Sequence, residues 1–341
     1  MRPPASALAL LLLLAVSACT GRTGPVVDLE TLPPEPIAFV FLEPEKARDL
    51  AERMQKTKQQ PQDQTPGVAR LDQLAKLFKS DADSLASELL GRPSLLDPRT
   101  GEVTPFDALP KGSRPLEWSG DRTRLLFAAP RFDVFQISQV NVASGEVRTF
   151  TQGKDDHPSA SLAPDGSLAF AQLSGATGTK AGESRIYVFT PGGGEPRPVS
   201  AGPSDVSPVW SRDGSMLVYQ TRAADGGHAI AALQPLDGTP RILARGRDPV
   251  FTPDGQWIVF SQKLAAGYRL WRMHPDGSGK LALGVAPTEV GDELRPAVSP
   301  DGRYVAYVAD EAGRRTLRIR RFDGGGDREL LGSGDGMLPT W

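Results

Sequence analysis

The sequence of 341 residues contains one cysteine, three histidines and only five residues each of tryptophan and tyrosine. The single cysteine, Cys19, excludes an internal disulfide, so the fold must be stabilised by its apolar core. The histidines, His157, His228 and His274, match no His-x-x-His metal pattern. The 39 Lys and Arg residues nearly balance the 41 Asp and Glu residues, and this gives no reason to expect nucleic acid binding.

Motifs that carry chemistry are also missing. No Gly-x-Ser-x-Gly nucleophile elbow occurs, and the Asp-Gly dipeptides lack the alternating acidic run of a calcium loop. The glycine-rich stretch Asp323–Asp327 lacks the helix that a phosphate-binding loop needs. We therefore expect no catalytic residue, no metal site and no cofactor.

A short apolar pattern repeats along most of the chain. In "PAVSPDGRYVAYVAD", which begins at Pro296, an Asp-Gly dipeptide separates two β-prone runs, which is typical of a β-hairpin. Related stretches begin at Leu116, Ala160, Pro208 and Pro249, and the first of these has Arg122 where the others have glycine. The turns of the other four copies are Asp165-Gly166, Asp213-Gly214, Asp254-Gly255 and Asp301-Gly302.

The spacing of these copies predicts the fold class. A large residue ahead of each turn recurs roughly every 40 to 48 residues, at Trp118, Leu162, Trp210, Phe251, Val298 and Trp341. Two further β-prone segments follow each hairpin, so each unit contains four short strands. This pattern indicates the blades of an all-β propeller.

The repeated "P-x-W/F/V-S/T-x-D-G" sequence resembles the TolB-type propeller repeat of bacterial envelope proteins, over roughly residues 92–341. The resemblance implies a six-bladed propeller that acts through protein binding. It leaves function open, because propellers host many activities. TolB proteins carry a larger N-terminal α/β domain than this chain, so contacts of that domain are not expected here. A peptidoglycan-associated lipoprotein is one candidate partner that the resemblance suggests.

Five complete units lie between Trp118 and Trp341, and a sixth must combine both ends of the chain. We expect Ser94–Phe106 to supply its last two strands and the C-terminal "GMLPTW" its first. Pro36–Leu42 has the composition of a second strand and is predicted to complete the blade. Alternatively, Pro36–Leu42 pairs elsewhere and the sixth blade has three strands.

The first residues have the layout of a bacterial export signal. Arg2 precedes an apolar run from Ala7 to Val16, which is too short to cross a bilayer comfortably. Val16-Ser17-Ala18-Cys19 resembles the lipobox of bacterial lipoproteins, which implies lipidation of Cys19 after removal of residues 1–18. The alternative is a plain signal peptide with an incidental cysteine. In such lipoproteins, an Asp after the lipidated cysteine favours retention at the inner membrane. This chain has Thr20 there, which suggests anchoring at the periplasmic face of the outer membrane.

Residues 19–35 are rich in Pro and Gly, which predicts a flexible tether. Residues 36–91 are predicted to form the strand Pro36–Leu42 and then a helical extension. Leu71, Leu74 and Phe78 illustrate the helical spacing of its apolar residues. We expect these helices to pack against the propeller. A partner-binding role is the alternative.

Charged residues just before each first strand are expected to ring one mouth of the propeller channel. They are Arg114, Asp155, Asp156, His157, Asp205, Arg247, Asp248, Glu293, Arg295 and Asp335. They form either a docking site for an envelope protein or peptide segment, or ordinary polar loops. The sequence thus predicts a monomeric, lipid-anchored, non-catalytic scaffold or adaptor. The alternatives are a carbohydrate- or small-ligand-binding sensor that uses the channel mouth, and an enzyme whose site forms only in three dimensions.

Overall fold

A computed structural model describes residues 26–49, 91–132, 134–175, 182–234, 236–284, 291–311 and 314–341. The predicted signal peptide, Cys19 and most of the predicted helical extension lie outside the described residues. A helix covers residues 44–49, where that extension begins, and Leu29–Thr31 form one turn of 3-10 helix. In the described ranges we find no helix long and apolar enough to span a membrane.

The described residues form short antiparallel strands in six sheets of four, which confirms the predicted all-β, six-bladed propeller. In chain order the strands are β1 (Ile37–Leu42), β2 (Arg92–Leu96), β3 (Val103–Pro105), β4 (Arg114–Trp118), β5 (Arg124–Arg131), β6 (Val134–Asn141), β7 (Val147–Thr149), β8 (Ala160–Leu162), β9 (Leu168–Ser174), β10 (Glu183–Phe189), β11 (Arg197–Pro198), β12 (Val206–Trp210), β13 (Leu217–Arg222), β14 (His228–Leu233), β15 (Arg241–Arg245), β16 (Arg247–Phe251), β17 (Ile258–Leu264), β18 (Gly267–Met273), β19 (Leu281–Ala282), β20 (Asp292–Val298), β21 (Tyr304–Glu311), β22 (Arg314–Arg321), β23 (Asp327–Glu329) and β24 (Asp335–Thr340).

Blades 1 to 5 each use four consecutive strands, from β4–β7 through β20–β23. Blade 6 has the order β24-β1-β2-β3 and therefore joins both ends of the propeller. Val40 in β1 lies opposite Pro93 on one side and Met337 on the other. The predicted closure by Pro36–Leu42 is confirmed, and the three-stranded alternative is wrong.

The four predicted Asp-Gly turns connect the first and second strands of blades 2 to 5. In blade 5 the Gly302 N–H donates to the carbonyl of Ser299 at 2.8 Å, and the Arg303 N–H donates to Asp301 Oδ1 at 3.0 Å. Gly302 has φ of +71°, in the left-handed region where glycine avoids a side-chain clash. These turns mark one face of the propeller, which we name the turn face.

The core is divided among the six contacts between neighbouring blades. Between blades 2 and 3, for example, Ile186 packs with Val206 and Leu217. Between blades 5 and 6, Phe39 of β1 packs with Ala306 and Leu317. Each sheet therefore buries both faces, so the blades are stabilised by the ring and not as separate units.

Residues 26–36 cross the turn face from blade 5 to blade 1. Thr31 Oγ1 lies 2.6 Å from the Tyr304 hydroxyl, and the carbonyl of Pro36 accepts from Arg122 Nη2 at 2.9 Å. The indole N–H of Trp341 donates to the carbonyl of Glu35 at 2.8 Å. The chain thus enters the propeller from the turn face.

Candidate functional site

The six first strands enclose a central channel with a volume of about 1310 Å³. They are β4, β8, β12, β16, β20 and β24, one from each blade. The turn face surrounds one opening. The other opening, which we name the mouth, lies where the first strands begin.

A backbone irregularity recurs in the channel wall. Ser207, Asp248, Arg295 and Leu338 each precede a proline and have φ between +52° and +54°. The pairing of the first and second strands shifts register at these positions. A bulge redirects a side chain from the regular alternation of a strand, and such positions are common beside functional sites.

Most of the predicted mouth residues are buried. The solvent reaches less than a tenth of the surface of Arg114, Asp156, His157, Asp205, Arg247, Asp248, Glu293 and Asp335, whereas Arg295 is half-buried and Asp155 is exposed. Of these residues, the channel wall includes Arg114, Asp248 and Arg295. The structure therefore places three of the predicted residues along the channel wall, with Arg247 beside Asp248. Asp156, Glu293 and Asp335 instead contact the preceding blade.

The buried acids hold neighbouring blades together. Asp156 Oδ1 accepts from the Phe135 N–H at 2.7 Å, and Glu293 Oε2 accepts from the Leu270 N–H at 3.0 Å. Asp335 Oδ1 accepts from the Arg315 N–H at 3.4 Å. In each pair the acid belongs to one blade and the N–H belongs to the third strand of the preceding blade. These bonds satisfy strand N–H groups at sites shielded from water.

Asp248 is the centre of a charged cluster at the mouth. Arg247 Nε lies 2.9 Å from Asp248 Oδ2, and Arg295 Nη1 lies 3.6 Å from Asp248 Oδ1. Burial raises the pKa of Asp248, but Arg247 and Arg295, together with His228 and the Arg295 backbone N–H, outweigh burial and hold the pKa below its usual range. Two cations therefore flank one carboxylate, and the half-buried Arg295 is the member that solvent reaches.

The histidines lie in three separate environments. His157 is buried between Gln136 and Phe170, and burial lowers the pKa of its imidazole. His228 lies 3.2 Å from Gln220, and His274 stacks on Trp257 with ring centroids 4.0 Å apart. Within the described ranges, no three His, Cys, Asp or Glu side chains form a group that could hold a metal ion.

Glu117 is a channel residue that the sequence reasoning missed. It is half-buried on β4, and its Oε2 accepts from the Leu162 N–H of blade 2 at 3.1 Å. Removal from bulk water raises the pKa of Glu117 to about 7, and hydrogen bonds from Ser161 and Leu162 offset only part of this effect. Glu117 immediately precedes the large residue Trp118. An alignment of the six repeats would have revealed it, because the residue at this position is uncharged in the other five repeats.

A closed six-bladed propeller with an open, charged channel defines a class of proteins that display a ring of loops around a central cavity. The family model described as the TolB β-propeller domain (PD40) matches residues 110–293 of this chain. The match covers more than half of the chain, so the protein belongs to the TolB β-propeller family.

Similar proteins extend this comparison. The uncharacterised protein Atu1656 of Agrobacterium fabrum is 28% identical over 176 residues, which is 47% of this chain and 59% of that protein. The chain thus spans about three fifths of the length of the curated relative that it matches.

Two solved structures share the fold. The crystal structure of TolB from Acinetobacter baumannii superposes with a TM-score of 0.64 and 16% identity, covering 100% of this chain and 74% of the other. The structure of a candidate TolB from Agrobacterium tumefaciens superposes with a TM-score of 0.55 and 22% identity, covering 70% of this chain and 87% of the other.

Proposed function

We propose that this protein is an exported, lipid-anchored envelope protein whose propeller binds a protein partner at the mouth, as a scaffold or adaptor without catalysis. The observation that carries the proposal is the open channel with Arg295 at its mouth. Family membership supports it, since the two superposed structures are described as TolB proteins.

The size of the channel favours a polypeptide occupant. Small-molecule sites usually measure about 300–1,000 Å³ and enclose most of their ligand. This channel has a volume of about 1310 Å³ and opens to solvent. A loop or an extended segment of a partner would fill it better than a single sugar or metabolite.

The aromatic groups also favour a protein over a carbohydrate. A carbohydrate sensor would present a free aromatic face, but the Trp257 ring is stacked on His274 and covered by Arg272, whose guanidinium carbon lies 4.7 Å from its centroid. The guanidinium carbon of Arg122 likewise lies 4.5 Å from the centroid of the Trp118 ring. Side chains of the protein itself therefore cover the ring faces on which a sugar would stack.

The cluster around Asp248 indicates the charge of the partner. Arg247 and Arg295 place two positive charges against one negative charge. An acidic side chain of the partner would pair with Arg295 without displacing the buried contact between Arg247 and Asp248. Such charged contacts set register and specificity.

Anchoring at the periplasmic face of the outer membrane rests on the sequence. Arg2, the apolar run and Cys19 have the order of a lipoprotein signal. A multi-chain lipid would hold the propeller stably at the membrane. Palmitate labelling of the wild type and of Cys19→Ala in cells tests this step, and equal labelling of both would contradict it.

The docking proposal is tested by cross-linking in cells, with the full-length protein as bait. We expect Arg295→Glu to lose a partner that the wild type captures. Arg197→Glu, on the exposed outer strand β11, is the matched control and should keep it. Thermal melting of both variants excludes unfolding. Capture by both variants would contradict docking at the mouth, and the absence of any partner would favour the small-ligand sensor.

A further inference from the structure

Glu117 is the one ionisable residue in its layer of the channel. The positions immediately before the six large residues are occupied by Glu117, Ser161, Val209, Val250, Ala297 and Thr340, and all six line the channel. The other five side chains are uncharged. Glu117 is therefore the one charged side chain among the first-strand positions at this depth, and the cation of its own row, Arg148, lies three strands away on β7.

The carboxylate is solvated by hydrogen bonds but has no counter-charge. Leu162 and Ser161 of blade 2 donate to it. Among the described residues, no arginine or lysine acts on its pKa. A carboxylate withdrawn from water is costly unless a positive charge pairs with it.

A structural role alone does not require the charge. The side-chain carbonyl of a glutamine would accept the same hydrogen bond from the Leu162 N–H, and it would avoid the cost of withdrawing a charge from water. What glutamine cannot provide is a partner for an ammonium or guanidinium group. The charge is thus the part of Glu117 that its contacts within the chain leave unexplained.

We propose that Glu117 binds a cationic group, a lysine or arginine side chain of the segment that enters the channel. The inference deepens the proposed function, because it rests on the channel accepting a polypeptide. Arg295 lies two residues nearer the mouth than the corresponding position of blade 5, Ala297, which is at most about 7 Å along the strand because the backbone bulges there. A segment with an acidic residue near its entry and a basic residue farther in would satisfy both positions.

The test uses the purified full-length protein in detergent and short blocked peptides. The probes are N-acetylated, C-amidated Gly-Lys-Gly, Gly-Arg-Gly and Gly-Gln-Gly, with binding followed by calorimetry and tryptophan fluorescence. At pH 8 we expect the two cationic peptides to bind at least about fivefold more tightly than the neutral one, which is about 1 kcal/mol. At pH 5.5, where Glu117 is protonated, the preference should disappear.

Variants assign the preference to this residue. Glu117→Gln should bind all three peptides equally, and Glu117→Asp should keep part of the preference. Glu146→Gln, which removes an exposed carboxylate on the β6–β7 turn, should behave as the wild type. A cationic preference retained in Glu117→Gln would overturn the proposal, as would equal or undetectable binding of all peptides by the wild type up to about 20 mM.

Because these probes need no cellular partner, the outcome is separate from that of the cross-linking experiment. Capture of a partner together with equal peptide binding would reject the role of Glu117 and keep the docking proposal. A cationic preference without any captured partner would keep the Glu117 site and reject docking of an envelope protein.

Discussion

Single residues in the turns carry measurable backbone constraints. Gly302 has φ of +71°, whereas Gly120 in the blade 1 turn has no left-handed φ, and an added Cβ there would meet no atom within 4 Å. A side chain in the left-handed region costs about 1–2 kcal/mol. We therefore expect Gly302→Ala to lower the free energy of unfolding by about 1–2 kcal/mol relative to Gly120→Ala.

Urea denaturation of both variants measures this difference, and the entropy that alanine removes from the unfolded chain cancels between them. Equal stabilities would contradict the assigned turn. Arg122 has φ of +60° at the corresponding position of blade 1. Its bond to Pro36 and its stacking on Trp118 offset this strain, which explains how an arginine is tolerated where other blades have glycine.

Glu117 makes stability depend on pH. Its pKa rises from 4.5 to about 7 on folding, so the folded chain binds more protons than the unfolded chain between these values. Stability is therefore lost as pH rises from about 4.5 to 7. Because channel water screens the group, we expect Glu117→Gln to be more stable than the wild type by only about 1–2 kcal/mol at pH 8.

The two proteins should be nearly equally stable at pH 4.5, where Glu117 is protonated in the folded chain and half protonated in the unfolded chain. Chemical denaturation at a series of pH values measures the gap between them. Glu146→Gln serves as the control and should follow the wild-type curve. A gap that does not widen between pH 4.5 and 8 would contradict the raised pKa.

Among the strands, β1 depends most on distant partners. Phe39 is fully buried between blades 5 and 6, and β1 pairs with both β2 and β24. Truncation of a buried phenylalanine costs about 3–5 kcal/mol through lost burial and the cavity that remains. We expect Phe39→Ala to lose this amount in urea denaturation, while Val147→Ala, on the exposed outer strand β7, changes stability little.

A cost for Phe39→Ala near that of Val147→Ala would show that blade 6 does not hold the ring together. A lower midpoint with an unchanged slope would indicate that the ring unfolds as one unit. A second transition would indicate that blade 6 separates first.

Strands and turns could be predicted because their signals are local. Each Asp-Gly turn and each apolar run lies within one repeat, and the composition of Pro36–Leu42 was enough to assign β1. The burial of Asp156, Glu293 and Asp335 could not be predicted, because their N–H partners belong to the preceding blade. Glu117 was missed for a related reason. That it is the one charged residue at its position appears only when the six repeats are aligned with one another.

For the whole molecule, the entry of the chain determines an orientation. Residues 26–36 cross the turn face, and Cys19 precedes Val26 by only about seven residues, a reach of at most about 25 Å. Lipidation of Cys19, as proposed, would place the turn face toward the bilayer and the mouth toward the periplasm.

Energy transfer in proteoliposomes measures this orientation. A fluorophore on Arg212→Cys, at the turn face, should transfer more energy to a lipid-bound acceptor than one on Phe132→Cys, in the β5–β6 hairpin at the opposite face. Cys19→Ala, which removes the lipid, should abolish both signals. Greater transfer from Phe132→Cys would reverse the orientation.

The composition of blade 6 has a consequence for the order of biogenesis. β1 leaves the ribosome before the strands β2 to β23, whereas its partner β24 follows all of them. Until β24 arrives, the Ile-Ala-Phe-Val-Phe-Leu strand has an unpaired apolar edge, which is the kind of segment that aggregates. The ring can therefore close only after β24 has been made, and the apolar edge of β1 needs protection until that moment.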